Sequence, residues 1–275
     1  MSDGARLAVS SIAWAPQQDL DARALFRRVG VRGIELTPLK YWPTAPDVSP
    51  QAVAECRAFW SDAGMEIIAL QGILFGKTDA MLFASDRERA ALEELLVGMA
   101  HLAAGLGART VVFGAPANRR RGSLTEDEAV ANAVPMFQRV GDAYASVGCA
   151  LAIEPNPPRY GADFCRTIAE VQTLVRAVGH PGVRLHLDAG AIVIQDETRA
   201  AVTSAASEAQ HFHISEVDLV AVGAGTVDHA QIGRWLHEGG YDGWHSIEMR
   251  PPADETFEEA MARAVLIALE SYGLE

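Results

Sequence analysis

The feature that most limits how this chain can fold is a repeated alternation. Short runs rich in β-branched and apolar residues recur eight times, over residues 7–14, 33–37, 66–71, 110–114, 150–154, 183–188, 211–215 and 245–249. Each is followed by a longer stretch whose apolar residues have helical spacing. The starts lie about 26 to 44 residues apart, room for one strand, one helix and two loops. Helix starts are marked by Ser49 before Pro50, by the pairs Ser85/Glu88, Thr125/Glu128 and Thr167/Glu170, and by Asp19, Asp228 and Thr256. Glycines stand where helices should stop, at Gly30, Gly64, Gly107, Gly148, Gly179 and Gly239–Gly240. Two architectures fit eight β-then-α units: a closed (β/α)8 barrel and an open doubly wound sheet. The first turn, WAPQQD, has no GxGxxG, which weighs against a dinucleotide-binding open sheet. The even count and spacing favour the barrel. No linker or low-complexity stretch divides the chain, so residues 1–275 are expected to form one α/β domain.

Composition removes other classes. Hydrophobic residues make up 49% and charged residues 21% of 275, a globular balance. A formal net charge of −13 disfavours nucleic acid as a partner. No run of about 18 apolar residues appears, so no membrane span is expected. The N-terminal MSDGARLAVS lacks the apolar core of a signal peptide, and three scattered cysteines make no disulfide framework. A cytoplasmic protein with reduced thiols is expected. Homo-oligomerisation is left open.

Alternation along the last four strands says what faces inward. Leu151/Ile153, Leu185/Leu187, Phe212/Ile214 and Ile247/Met249 form the large apolar faces. The opposite faces are small or polar, and each carries a carboxylate or an imidazole: Glu154, Asp188, His213 and Glu248. Barrel enzymes build their sites at the C-terminal ends of the strands. Three carboxylates gathered there would repel one another and raise their own pKa values. A divalent cation removes that cost. Carboxylate oxygens with one nitrogen suit Mn2+ best, with Mg2+, Co2+ and Zn2+ as alternatives.

The residues around these positions are IEPNP at Glu154, LDAG at Asp188, HFHISE at His213 and SIEM at Glu248. Together with GIELTP at Glu35 and VVFGAP at Gly114, they resemble the motifs of the xylose-isomerase-like barrels. That superfamily includes ketose 3-epimerases, inosose dehydratases and endonuclease-IV-type enzymes. The resemblance implies a metal-dependent sugar isomerase or epimerase. It would act on a keto sugar, cyclitol or sugar phosphate by proton abstraction next to a carbonyl, through a metal-stabilised enediolate. Glu154 and Glu248 would be the catalytic pair, and Glu154, Asp188, His213 and Glu248 the metal ligands. His211, one layer below, would orient a ligand from behind; otherwise it and His186 are hydrogen-bonded core histidines. Trp14, Glu35, Phe75, Arg119 and Arg250 are candidate contacts to a small carbohydrate. Three positions depart from the family pattern. Ala191 stands where the epimerases commonly have His, Ser215-Glu216 where Lys-Asp often follows the strand-seven His, and Leu219 replaces an Arg. These departures keep a second reading open, a metal-dependent lyase or dehydratase, C-glycoside cleavage included.

Overall fold

A computed structural model describes residues 6–252 and 254–274; the remaining termini of the expected 1–275 unit lie outside the described residues. Eight parallel strands close into a barrel in chain order. They are β1 Leu7–Ser10, β2 Gly33–Leu36, β3 Glu66–Leu70, β4 Thr110–Phe113, β5 Ala150–Ile153, β6 Val183–Asp188, β7 Ala209–Ser215 and β8 His245–Glu248. The ring is completed by β8 pairing with β1, with Val9 beside Ile247. The principal outer helices are α1 Asp19–Val29, α3 Pro50–Ser61, α4 Asp86–Leu106, α5 Glu126–Ser146, α6 Ile168–Val178, α8 Arg199–Ala206, α9 His229–Glu238 and α10 Phe257–Tyr272. Two short helices, α2 Pro38–Tyr41 and α7 Ala189–Ile194, follow β2 and β6.

The helix starts follow local hydrogen bonding. Ser85, Thr125 and Thr256 form capping boxes with Glu88, Glu128 and Glu259. Thr167 caps α6, but the box expected with Glu170 is not made: that carboxylate turns to the backbone N–H of Arg166 at 2.7 Å. Asp19 begins α1 rather than capping it, and accepts from Trp14 Nε1 at 2.7 Å and Tyr41 Oη at 2.9 Å.

The first strand is shorter than its pattern predicts. Ser10 caps a 3-10 turn over Ser11–Ala13, so the chain leaves the sheet four residues early. Trp14 is thereby carried outward. It is 1% exposed and packs edge-on against Phe26 and Trp60, with ring centroids 5.3 and 6.1 Å away. The expectation that Trp14 forms a wall of the sugar site is corrected: its ring belongs to the core between strands and helices.

That outer core is one large cluster, which includes Leu151, Ile153, Leu185, Leu187, Phe212, Ile214 and Ile247. A separate small cluster, Ala8, Ile68 and Ala69 with Trp244 against it, lies apart from it. The inward faces of β6 and β7 carry imidazoles instead. The rings of His186, His211 and His213 stand 4.2 to 5.5 Å apart.

Candidate metal centre

Register brings the expected ligands together. Asp188, the last residue of β6, lies beside His213. His213 lies beside Ser246, and Ser215 beside Glu248, the last residue of β8. Ile153 lies beside Leu185, so Glu154, one step past β5, comes beside His186. All four expected ligands are buried or half-buried. Ligand atoms of Asp188, His213 and Glu248 lie within 4.8 Å of one another, and those of Glu154, His186 and His213 do the same. Around one cation with bonds of about 2.1 Å, opposite ligands stand about 4.2 Å apart. Glu35, His211 and His213 form a third such trio, so three trios meet at His213 among the described residues, and the four expected ligands do not form a single tight set.

His213 is held from below. Its Nε2 lies 3.0 Å from Glu35 Oε2. Glu35 Oε2 also accepts from Ser246 Oγ at 2.7 Å, and His211 Nε2 stands 3.3 Å from Oε1. Burial pushes the Glu35 carboxyl up, but His213 and His211 outweigh it and hold Glu35 well below the usual carboxylate range. With Nε2 donating to Glu35, the opposite nitrogen, Nδ1, faces the mouth. It lies 3.1 Å from Glu248 Oε2 and 3.9 Å from Asp188 Oδ2, yet it makes no hydrogen bond and is buried. A buried nitrogen that faces two carboxylates, pairing by charge with Glu248 but aligned for a hydrogen bond with neither, fits the expected cation. Asp188 is fixed at both oxygens: Oδ1 accepts from the Ala191 N–H at 2.6 Å and Oδ2 from Ser215 Oγ at 2.5 Å.

Without a cation, burial and crowding raise two of the carboxylates. Burial, then Asp188 and Glu248, raise Glu154 to about 8. Burial, then Glu248, raise Asp188 to about 6. Burial lowers the His213 imidazole, but Glu35 and Glu248 outweigh it and hold it well above its ordinary value.

The other expected contacts divide. Glu35, expected to reach substrate, is 0% exposed; its oxygens are spent on His213 and Ser246. Arg119 is 1% exposed and points inward. It donates to Asn156 Oδ1 at 2.6 Å and to the backbone carbonyls of Phe113 and Glu154, so it positions the Glu154 loop instead of meeting a ligand. His211 faces Glu35 and not the mouth ligands. Phe75, 86% exposed, and Arg250, also exposed, stand on loops after β3 and β8.

The three departures from the family pattern are used inside the protein. Ala191 lends its N–H to Asp188, and Ser215 its hydroxyl. Glu216 is buried and accepts from the N–H groups of Gly223 and Val227, each at 3.1 Å. Leu219 takes a left-handed φ of 56°, next to Asp218 at 60°, and its carbonyl accepts from the Arg250 N–H at 2.8 Å. Asp218 meanwhile binds Arg159 at 2.5 Å and donates its N–H to Tyr160 Oη, tying the loops after β5 and β7 together.

Sequence reasoning placed Gly114 in a motif but gave it no part in the site. A Cβ there would stand 1.7 Å from Glu154 Oε2. The Glu154 carboxylate lies in the space that a side chain at the end of β4 would fill. Gly114→Ala should therefore displace it. We expect cation affinity to fall about tenfold or more, which shrinks the rise in Tm at a given cation concentration. An unchanged rise in a thermal titration would show that this carboxylate takes no part in holding the ion.

Comparisons with known proteins agree on the architecture. A 3-keto-D-glucoside 4-epimerase from E. coli superimposes with a TM-score of 0.77 at 16% identity, over 94% of this chain and 98% of its own. A D-psicose 3-epimerase from Clostridium cellulolyticum H10 gives 0.79 at 14% identity, over 97% and 99%. The IOLI protein, solved with a bound zinc atom, gives 0.74 at 17%, over 97% and 98%. No protein with a curated description matches the sequence. The family model of the xylose isomerase-like TIM barrel matches residues 24–267. A closed ring of eight strands and a match across most of its length establish that this chain belongs to the xylose isomerase-like TIM barrel family.

Proposed function

We propose that the chain, as one barrel unit of residues 1–275, is a divalent-cation-dependent isomerase or epimerase of keto sugars or cyclitols. The observation that carries this is the clustering of ligand atoms around the buried His213 Nδ1, which faces Asp188 and Glu248 without an aligned hydrogen bond, with Glu154 nearby. Asp188, His213 and Glu248 would hold the ion, with Glu154 drawn in as the fourth ligand, and Mn2+ is the best match to three carboxylates and one nitrogen. When bound, such a cation would polarise a carbonyl and offset the negative charge that develops as the neighbouring proton leaves. The neighbours' names support a carbohydrate substrate: sugar epimerases recur among them.

The chain's own groups divide the work. Asp188, bonded at both oxygens, is a fixed ligand. Among the described residues, the Glu154 carboxylate accepts no side-chain hydrogen bond, and Glu248 meets only His213, at Oε2, so each has an oxygen free to take a proton from carbon and return it. Glu154, which holds its own proton up to about pH 8, becomes a base at neutral pH only where positive charge offsets Asp188 and Glu248. Arg119 holds the Glu154 backbone while this happens.

A lyase or dehydratase on the same centre is the second reading. The observation favouring it is that Ala191, Ser215, Glu216 and Leu219, at positions expected to touch a sugar, are committed to the protein's own structure. Screening ketoses, keto-cyclitols, keto-glycosides and their phosphates in deuterated water with Mn2+ tests both. Exchange at carbon with an epimeric or isomeric product supports the first, and elimination the second. No exchange with any of them removes the proton-transfer reading.

A further inference from the structure

His186 is a buried polar side chain without an occupation. It is 0% exposed, and neither ring nitrogen has a hydrogen-bond partner among the described residues. Burying polar atoms unpaired is costly, and a phenyl ring of similar shape would avoid that cost. The inward position, beside Glu154 and below Asp188, therefore suggests a ligand. One His186 nitrogen, a Glu154 oxygen and a His213 nitrogen lie within 4.8 Å of one another, and no hydrogen bond joins His186 to either neighbour. Atoms gathered this closely without a hydrogen bond to His186 are placed as ligands around one ion would be. The His186 and His213 rings meet at 72° with centroids 4.2 Å apart, close enough for both to border one position.

Building on the cation reading above, we propose that His186 is a fifth cation ligand. A nitrogen-preferring ion such as Zn2+ or Co2+ binds deeper in the barrel, between Glu154, His186 and His213. The position bounded by Asp188, His213 and Glu248 suits Mg2+ or Mn2+. His213 Nε2 is engaged by Glu35, so Nδ1 alone is available to either position. The two positions then exclude each other, and one ion binds per chain.

The test uses the full chain, stripped of metal, with isotopically labelled histidine and an NMR-active cadmium isotope as the probe. Two histidine nitrogens should couple to cadmium in the unsubstituted chain and one in His186→Phe. Zn2+ affinity, read by chelator competition, should fall about tenfold or more in His186→Phe. The Tm rise given by Mg2+ should stay the same, and the metal-free Tm should hold or rise, since two orphaned nitrogens are gone. A single coupled nitrogen in the unsubstituted chain, with Zn2+ affinity unchanged in the variant, overturns the role of His186 and leaves the upper position standing. Cadmium, zinc and magnesium all failing to bind would overturn the underlying cation reading. Should the phenylalanine variant not fold, the count of coupled nitrogens in the unsubstituted chain decides.

Discussion

Glu154→Gln and Glu248→Gln should each slow exchange of the substrate C–H with deuterated solvent by about 10²–10⁴-fold, the usual contribution of a positioned acid or base. Gln matches Glu in shape but cannot take a proton, so the variant isolates the chemistry from the packing. The two variants should differ in the metal-free protein. Glu154 lies against Asp188 and Glu248 and is protonated up to about pH 8. Replacing it with a neutral amide should leave metal-free Tm nearly unchanged at pH 7 and raise it above pH 8. Glu248 faces the His213 imidazole at 3.1 Å, and that imidazole is held charged by Glu35 and Glu248. Glu248→Gln should lower the metal-free Tm by removing that partner. Full exchange in both variants would take these two residues out of proton transfer.

Metal-free protein should lose stability as pH rises from about 5 to 8, and added Mn2+ should restore it. Asp188 is raised to about 6 in the folded state by burial and Glu248, and Glu154 to about 8 by burial, Asp188 and Glu248. A carboxylate raised on folding binds protons more tightly in the native chain than in the unfolded one. Its contribution is complete below the unfolded value and lost as pH passes the folded value. His213, raised as well, acts in the same direction at higher pH. Glu35 is depressed, so its contribution disappears only in acid, below the usual carboxylate range. The loss between pH 5 and 8 should amount to a few kcal/mol, several degrees in Tm for a domain of this size. Binding of a dication displaces those protons, so its stabilising effect should grow with pH over the same window. Melting curves at pH 5, 6, 7 and 8, with EDTA and then with Mn2+, check both slopes. A metal-free Tm that climbs through this window would mean that the carboxylates are not crowded together as the structure places them.

The four mouth residues were legible because strand alternation is strict. Once Leu185 and Leu187 face the helices, His186 and Asp188 must face the axis, whatever the rest of the chain does. The same rule read Glu35 as inward, but not how far up the barrel its carboxylate reaches. That depended on His213 arriving from the opposite side of the ring to meet it. The role of Gly114 was hidden for a related reason: its lack of a side chain matters only because Glu154, just past the neighbouring strand, leans into the gap. Arg119 carried the usual signature of a ligand-binding arginine on a loop. Its target turned out to be the backbone of Glu154, 35 residues along the chain.

By itself the sequence determined the barrel, the side of each strand that faces the axis, and the donor atoms that meet at its mouth. Those follow from periodicity and local capping, which act over a few residues. Tertiary structure alone decided that Trp14 is core, that Glu35 orients His213, that Arg119 braces a loop, and that His186 is left without a partner. Each of these depends on which distant group arrives within hydrogen-bonding or packing distance, and only closure of the ring sets that.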